Sequence, residues 1–150
     1  MSKNNHKRIG LIACSKSKLG KDNLERKYKA KDIYTGFTFN LAKTEGIKRF
    51  NLDDYYIISA KHHLLDKDDE ITYYDKTLNK MNKKEQKEWA EMVLKQLKAK
   101  FDLEHDEFYI FGGSKYYENL IPHLNCTTFA YINCKKINLD KPATYKNGGK

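Results

Sequence analysis

Two adjacent histidines and a nearby carboxylate follow a short apolar segment in the middle of the chain. The run Tyr55-Tyr56-Ile57-Ile58 leads directly into Ser59-Ala60-Lys61-His62-His63, and Tyr73-Tyr74-Asp75 comes shortly afterwards. A histidine exchanges protons near neutral pH, and a carboxylate can activate water or stabilise the oxocarbenium ion of glycosidic bond cleavage. This pattern makes Asp75 and His62 the candidate catalytic residues.

The same residues do not form a recognisable metal site. His62 and His63 are neighbours whose side chains point apart on an extended chain, and no third ligand follows at a zinc spacing. The three cysteines, Cys14, Cys126 and Cys134, contain no Cys-x-x-Cys pair, which argues against a zinc ribbon and a disulfide framework. We therefore expect no metal and no other cofactor. The alternative to a catalytic histidine is a structural histidine that caps its loop.

Two further loops carry groups that bind anions. Cys14-Ser15-Lys16-Ser17-Lys18 follows the apolar run at residues 9–13 and offers hydroxyl, ammonium and backbone N–H donors. It lacks the G-x-x-x-x-G-K-[ST] pattern of a Walker-type loop. Gly112-Gly113-Ser114 follows the apolar run at residues 108–111 and precedes a short predicted helix, whose N-terminus can face an anion. Cys14 is either a reactive thiol or a small buried side chain at the end of a strand.

Alternating strands and helices must position these loops. Apolar runs predict four strands, over residues 7–13, 55–59, 108–111 and 127–132. Apolar residues at helical spacing predict a helix that ends near residue 100, with Asn82 and Glu85 forming its N-terminal cap. The economical arrangement is a four-stranded, mainly parallel sheet with helices on both faces. Because the carboxyl ends of parallel strands meet at one edge, the three loops are predicted to share one pocket.

The length favours one α/β domain over residues 1–150, with residues 1–6 and 136–150 loosely ordered. No apolar run reaches the ~20 residues that a membrane helix needs. The N-terminal apolar run is also too short for a secretory signal. We therefore expect a cytoplasmic protein with no membrane partner.

The charge predicts a nucleic-acid partner. The formal net charge is +9, and neutralising phosphates releases counterions. The aromatic residues include eleven tyrosines, whose rings can stack on bases. The alternative is a lysine-rich composition inherited from an A/T-rich genome, with many of the tyrosines at the edges of the core.

Three blocks of the chain together resemble a small family of uncharacterised bacterial and phage domains. The blocks are Ile12-Ala13-Cys14-Ser15-Lys16-Ser17-Lys18, Asp32-Ile33-Tyr34-Thr35-Gly36, and Ser59-Ala60-Lys61-His62 with Leu64-Leu65 and Tyr74-Asp75-x-Thr77-Leu78. The hallmarks of that family are a C-S-x-x-K start and an S-A-x-H-G-L-L loop followed by P-Y-D-x-T-L. The block that begins at Ser59 is also similar to the S-G-L-Y-G-L-L and P-Y-R segment of YaaA-like proteins, which are linked to DNA binding and oxidative stress. A related segment occurs in domains allied with archaeosine synthases and with the uracil-DNA-glycosylase-like α/β fold.

This resemblance implies a uracil-DNA-glycosylase-like fold, and two positions depart from the family pattern. His63 replaces the usual Gly, so we expect the turn after His62 to avoid a conformation that only glycine adopts. Tyr73 replaces the usual Pro and adds an aromatic ring that can stack on a base. The loop after the first strand lacks the water-activating acid of uracil glycosylases, since no acid precedes Asp22. Asp75 is the candidate to supply that acid.

We therefore expect a DNA N-glycosylase that excises a modified base, in repair or anti-phage defence. Such an enzyme acts on a base flipped out of the stack. In this hypothesis Asp75 supports the water or the oxocarbenium ion, His62 hydrogen-bonds the leaving base, and Tyr34 and Tyr74 sandwich the base. The predicted substrate-binding residues are Cys14, Ser15, Lys16, Lys18, Tyr34, Gly36, Ser59, His63, Tyr73, Tyr74, Gly113 and Ser114. The alternatives are a non-catalytic, YaaA-like DNA-binding stress-response module and a hydrolase of free nucleosides or nucleotides.

Overall fold

A mixed sheet of six strands organises the computed structural model, which describes residues 6–132 and 136–146. The strands of the chain are β1 Arg8–Ala13, β2 Tyr28–Lys29, β3 Asp54–Ser59, β4 His63–Asp66, β5 Glu70–Ile71, β6 Glu107–Phe111, β7 Asn125–Ile132 and β8 Lys136–Tyr145. The sheet has the order β4-β3-β1-β6-β7-β8, while β2 and β5 form a separate two-stranded ribbon. The four central strands are parallel, and β4 and β8 are antiparallel edge strands.

The helices connect these strands. They are α1 Ala30–Ile33, α2 Phe37–Leu41, α3 Ile47–Arg49, α4 Lys83–Lys100 and α5 Ser114–Tyr117. A π-helical turn, Ala42–Gly46, joins α2 to α3, and short 3₁₀ turns cover Leu78–Lys80 and Ile121–His123. Among the described residues, no helix combines the length and the apolarity needed to cross a membrane.

Each face of the sheet has its own apolar core. Val93 of α4 belongs to the cluster that contains Leu11 of β1, whereas Ala42 of the π-helical turn belongs to the cluster that contains Ile12. Consecutive side chains of a strand point to opposite faces of the sheet. Leu11 and Ile12 are both fully buried because each face is covered by its own core. The predicted α/β class, with a mainly parallel sheet and helices on both faces, is confirmed.

Helix α4 begins as the sequence predicts. The Asn82 side chain accepts a hydrogen bond from the Glu85 N–H at 2.8 Å, and Glu85 Oε1 accepts one from the Asn82 N–H at 3.0 Å. This capping box satisfies two N–H groups that the helix itself leaves without partners. Trp89 and Val93 then face the core.

The predicted number of strands is wrong because both edge strands escaped detection. β4 returns from β3 through a tight hairpin, and its four residues are too few to form a clear alternating pattern. Residues 136–145, predicted to be loosely ordered, form β8 along β7. Charged residues suit such an exposed edge, where few side chains reach the core. Residues 1–5 and 147–150, and Cys134, lie outside the described residues.

His63 corrects the expectation about the hairpin turn. Its backbone adopts the left-handed conformation, with φ of 63°, rather than avoiding it. His63 pairs with Ser59, so three residues, 60–62, form the loop. His63 follows this loop as the first residue of β4, and glycine would adopt its left-handed conformation without a Cβ clash.

Replacing His63 with glycine is therefore expected to raise the free energy of unfolding by up to about 1 kcal/mol. The left-handed conformation costs an L-residue ~1–2 kcal/mol, and the greater freedom of glycine in the unfolded chain offsets part of that gain. His63→Val should instead destabilise the protein. His62→Gly is the matched control, because His62 is not left-handed and should lose stability. Urea unfolding measures all three variants, and equal losses at both positions would contradict the explanation.

Candidate functional site

A cavity of about 440 Å³ lies at the carboxyl ends of β1 and β6. Its walls come from the loop after β1, the start of α2, residues 75–80 and the glycine pair after β6. Seven predicted site residues line it, namely Cys14, Ser15, Lys16, Lys18, Gly36, Asp75 and Gly113. The loops after β1 and β6 therefore line one cavity, whereas no residue of the loop after β3 does, so only two of the three predicted loops share it. The other predicted residues lie behind this lining or beside it.

Two glycines allow the walls of the cavity to approach each other. A Cβ on Gly36 would lie 2.7 Å from the Ser15 Cβ, and one on Gly112 would lie 2.5 Å from the Ala13 Cβ. The Ser15 hydroxyl accepts a hydrogen bond from the Gly36 N–H at 3.2 Å and donates one to the Ser17 carbonyl at 2.6 Å. Ser15 thus fixes the first loop against the start of α2.

The thiol of Cys14 lies between two hydrogen-bonding groups. Cys14 Sγ accepts a hydrogen bond from the Ala60 N–H at 3.4 Å and lies 3.4 Å from the Tyr116 hydroxyl. That hydroxyl accepts the Leu78 N–H at 3.5 Å, which leaves its own hydrogen free to point at Cys14. Burial, together with Cys14, raises the pKa of Tyr116, so it stays a neutral donor. The sequence offered no signal for Tyr116, because it lies in a single-turn helix without a motif.

Tyr34, Tyr74 and Ser59 form a buried chain of hydroxyls. Tyr34 Oη lies 2.6 Å from Tyr74 Oη, which lies 2.8 Å from Ser59 Oγ. Ser59 Oγ already accepts the N–H groups of Lys61 and His62, so its hydrogen is directed to Tyr74. Burial raises the pKa of both tyrosines and keeps them neutral.

This geometry overturns the predicted base sandwich. The rings of Tyr34 and Tyr74 meet edge to face, at an interplanar angle of 81°, and both side chains are buried. Their hydrogen-bonded hydroxyls leave no gap for a base. The two tyrosines and Ser59 support the cavity from behind and do not line it. A sequence cannot distinguish this role from stacking, because tyrosine serves both.

The remaining predicted residues lie beside the cavity. His62 packs edge-on against Tyr74, with ring centroids 5.3 Å apart, and is not part of the cavity lining. Burial, with Lys61 and His63, lowers the pKa of His62, so its imidazole is neutral at pH 7. Its catalytic role stays a prediction. Tyr73 and Ser114 also lie outside the lining.

Lysine ammonium groups dominate the charge of the cavity. Lys18 Nζ lies 4.4 Å from the centre of the Tyr74 ring. Burial lowers the pKa of Lys18, while the nearby Cys14 and Asp75 act in the opposite direction. Four lysines line the cavity, namely Lys16, Lys18, Lys76 and Lys80, and Asp75 is the single carboxylate among the described lining residues. The positive electrostatic potential of these lysines favours an anionic ligand.

Two exposed aromatic rings stand at the same cavity. Phe37 is 62% exposed and Tyr131 is 41% exposed, and both contribute to the lining. Lys136 Nζ lies 5.2 Å from the centre of the Phe37 ring. Thr38 also lines the cavity, and its buried hydroxyl has no hydrogen-bond partner within the described chain. Exposed aromatic rings and an unpaired hydroxyl both gain from contact with a ligand. The sequence did not predict these residues, because Phe37 and Tyr131 fall in apolar runs typical of core.

Metal-binding side chains do not gather at this cavity. Asp102, Glu104 and His105 form the one such group among the described residues, with ligand atoms within 4.8 Å of one another. All three are exposed, and Asp102 Oδ2 is already bonded to His105 Nδ1 at 2.8 Å. They precede β6 and so lie at the amino ends of the parallel strands. The cluster therefore supplies no metal-coordinating side chain to the cavity.

Comparison with known proteins identifies one family. A family model described as "Family of unknown function (DUF6884)" matches residues 9–137. Neither a curated protein nor a solved structure matches the chain. The matched region contains every residue named above as part of the cavity lining.

Proposed function

The chain belongs to the family of unknown function DUF6884, and we propose that it is a DNA glycosylase, which hydrolyses the bond between a nucleobase and its sugar. One observation carries this proposal. A single cavity is lined by one carboxylate, four lysines and two exposed aromatic rings. These three kinds of group suit the three parts of a nucleotide, namely the sugar, the phosphate and the base.

The base is expected to stack on Phe37 and Tyr131. Both rings are exposed and line the cavity, unlike the buried pair of Tyr34 and Tyr74. Aromatic side chains bind bases through their π faces with little regard to sequence. A cavity of about 440 Å³ falls within the usual size of small-molecule sites, so it can enclose a base with its sugar. A base of DNA reaches such a cavity by leaving its stack.

The reaction assigned to this site needs a carboxylate near the sugar. Water adds its oxygen to C1′ as the bond from C1′ to the base nitrogen breaks, and the bonding electrons leave with the base. Asp75 can accept the proton that the water loses and can stabilise positive charge on the sugar. The base takes up one proton, and the Lys18 ammonium can donate it. Its lowered pKa makes Lys18 a stronger acid than an ordinary lysine.

The sequence blocks support the same proposal. The segment Ser59–Leu65 resembles YaaA-like proteins, which are linked to DNA binding. The four parallel strands occur in the order β3-β1-β6-β7, and this arrangement supports a uracil-DNA-glycosylase-like fold. The net charge of +9 favours DNA as the partner. We accordingly propose an enzyme that acts in the cytoplasm on a modified base, in repair or anti-phage defence.

The decisive experiment incubates the protein with single-stranded and duplex DNA that carry natural and modified bases. Mass spectrometry detects the released base, and an aldehyde-reactive probe detects abasic sites. We expect base release from at least one DNA and none from free nucleotides. Release from free nucleotides alone would identify a nucleotide hydrolase. DNA binding without release on any substrate, by folded protein, would favour a non-catalytic module.

The stacking role has its own matched test. Phe37→Ala should weaken DNA binding by roughly 5- to 150-fold, the factor that corresponds to ~1–3 kcal/mol of base stacking. Leu24→Ala is the control, because Leu24 is equally exposed, at 62%, and lies outside the cavity lining. Fluorescence anisotropy with a labelled oligonucleotide measures both affinities. Equal affinities for the two variants would remove Phe37 from the site.

A further inference from the structure

We propose that a row of exposed lysines beside the cavity forms a track for the phosphate backbone of a nucleic-acid strand. We call this row the lysine ridge, and it consists of Lys76, Lys80, Lys83, Lys84 and Lys87. The inference rests on the proposed function in one respect, since the strand is the one whose target base enters the cavity. It extends the binding surface beyond the cavity and identifies the substrate as a polymer.

The charge of the lysine ridge is not compensated by the protein. All five side chains are exposed. Within residues 6–132 and 136–146, none of them takes part in an ion pair. Other lysines do, since Lys31 lies 3.4 Å from Asp68 and Lys67 lies 2.6 Å from Asp54. Free ammonium groups in a row suit a ligand with repeated negative charges.

The lysine ridge continues the wall of the cavity. Lys76 and Lys80 line the cavity, whereas Lys83, Lys84 and Lys87 belong to the first turns of α4 and do not. A helix advances ~6 Å over the four residues from Lys83 to Lys87. The ridge therefore extends past the space that holds a single nucleotide.

The connection between the two parts is rigid. Leu78 is fully buried between Lys76 and Lys80. Gln86 of α4 is 4% exposed, and its Nε2 donates to the Leu78 carbonyl at 2.8 Å and to the Met81 carbonyl at 3.0 Å. These bonds hold the first turns of α4 in place against the cavity wall. A backbone bound along the lysine ridge would therefore keep a fixed position relative to the cavity.

The acids near the lysine ridge do not cancel it. Glu85 is turned back to the start of α4, where it accepts the Asn82 N–H in the capping box. Glu88 follows on the exposed surface. From residue 76 to residue 87 the sequence has five lysines and one acid. This imbalance sets the stretch apart from the later part of α4, where Glu88 and Glu91 precede Lys95.

The test compares two double variants that remove the same charge from α4. Lys84→Gln/Lys87→Gln lies in the ridge, and Lys95→Gln/Lys98→Gln has the same spacing farther along the helix, on exposed positions. Binding of a fluorescent 12-nucleotide single strand is measured by anisotropy over a series of salt concentrations. The slope of log K against log salt should fall by about 1.4 for the ridge variant, because each lost single-strand phosphate contact removes ~0.7. The control should keep the wild-type slope.

Two results would overturn the proposed role of the lysine ridge. One is a ridge variant with the wild-type slope, and the other is an equal loss in both variants, which would indicate only the total charge. Circular dichroism checks that both variants are folded. The outcome is independent of base release. A loss of slope in the ridge variant alone, without any base release, would refute the glycosylase and support the lysine ridge. Base release with an unchanged slope in the ridge variant would support the glycosylase and refute the lysine ridge.

Discussion

Asp75→Asn is expected to slow base release by about 100- to 10,000-fold, the range that a general acid or base contributes to catalysis. Asn has nearly the shape of Asp but can neither accept a proton from water nor carry the negative charge that stabilises an oxocarbenium ion. Asp75 is the single carboxylate among the described residues that line the cavity. Single-turnover assays with the DNA substrate found in the screen measure the rate of the chemical step.

The affinity for DNA separates this chemical role from a binding role. Four lysines line the cavity together with Asp75, so removal of its negative charge should leave DNA binding unchanged or tighter. Asp22→Asn is the control, because Asp22 is exposed and outside the lining. Both changes alter an exposed side chain and should shift stability by no more than about 0.5 kcal/mol. Wild-type rates in Asp75→Asn, or a parallel loss of DNA binding, would contradict the assignment.

The part of the fold that the sequence could predict is the part buried on both faces. Strands such as β1 read as continuous apolar runs because helices cover both sides of the sheet. Helix α4 was predictable because its buried stripe and its capping box agree. The edge strands were not, since β8 has mostly exposed residues and resembles a polar tail. Edge strands are held by backbone hydrogen bonds, which leave little trace in the side chains.

The location of the cavity was also predictable, but the side chains that line it were only partly so. Loops after parallel strands must meet at one edge, and Cys14, Lys18 and Asp75 do line one cavity there. The roles of the aromatic residues could not be inferred. Tyr34 is buried whereas Phe37 is exposed, although both follow the same short helix. Their environments depend on how distant segments pack, and no local pattern records that packing.

Gly112→Ala is expected to lower the free energy of unfolding by about 1–3 kcal/mol, the usual cost of overpacking a tight contact. The new Cβ would lie 2.5 Å from the Ala13 Cβ. Both atoms are attached directly to the backbone, so no side-chain rotation relieves the clash and the ends of β1 and β6 must separate. Because Ala13 and Gly112 both line the cavity, base release should fall as well. Urea unfolding and the base-release assay measure the two effects.

A second substitution tests whether this one contact is the cause. Ala13→Gly alone should cost roughly 0.5–1 kcal/mol, because glycine weakens a strand. The double variant Ala13→Gly/Gly112→Ala moves the methyl group across the contact. Its loss of unfolding free energy should be smaller than the sum of the two single losses by at least about 1 kcal/mol. Gly113→Ala is the neighbouring control, since its Cβ would meet nothing closer than the Tyr131 hydroxyl at 3.8 Å. Additive losses in the double variant would show that the clash between β1 and β6 is not what requires glycine at residue 112.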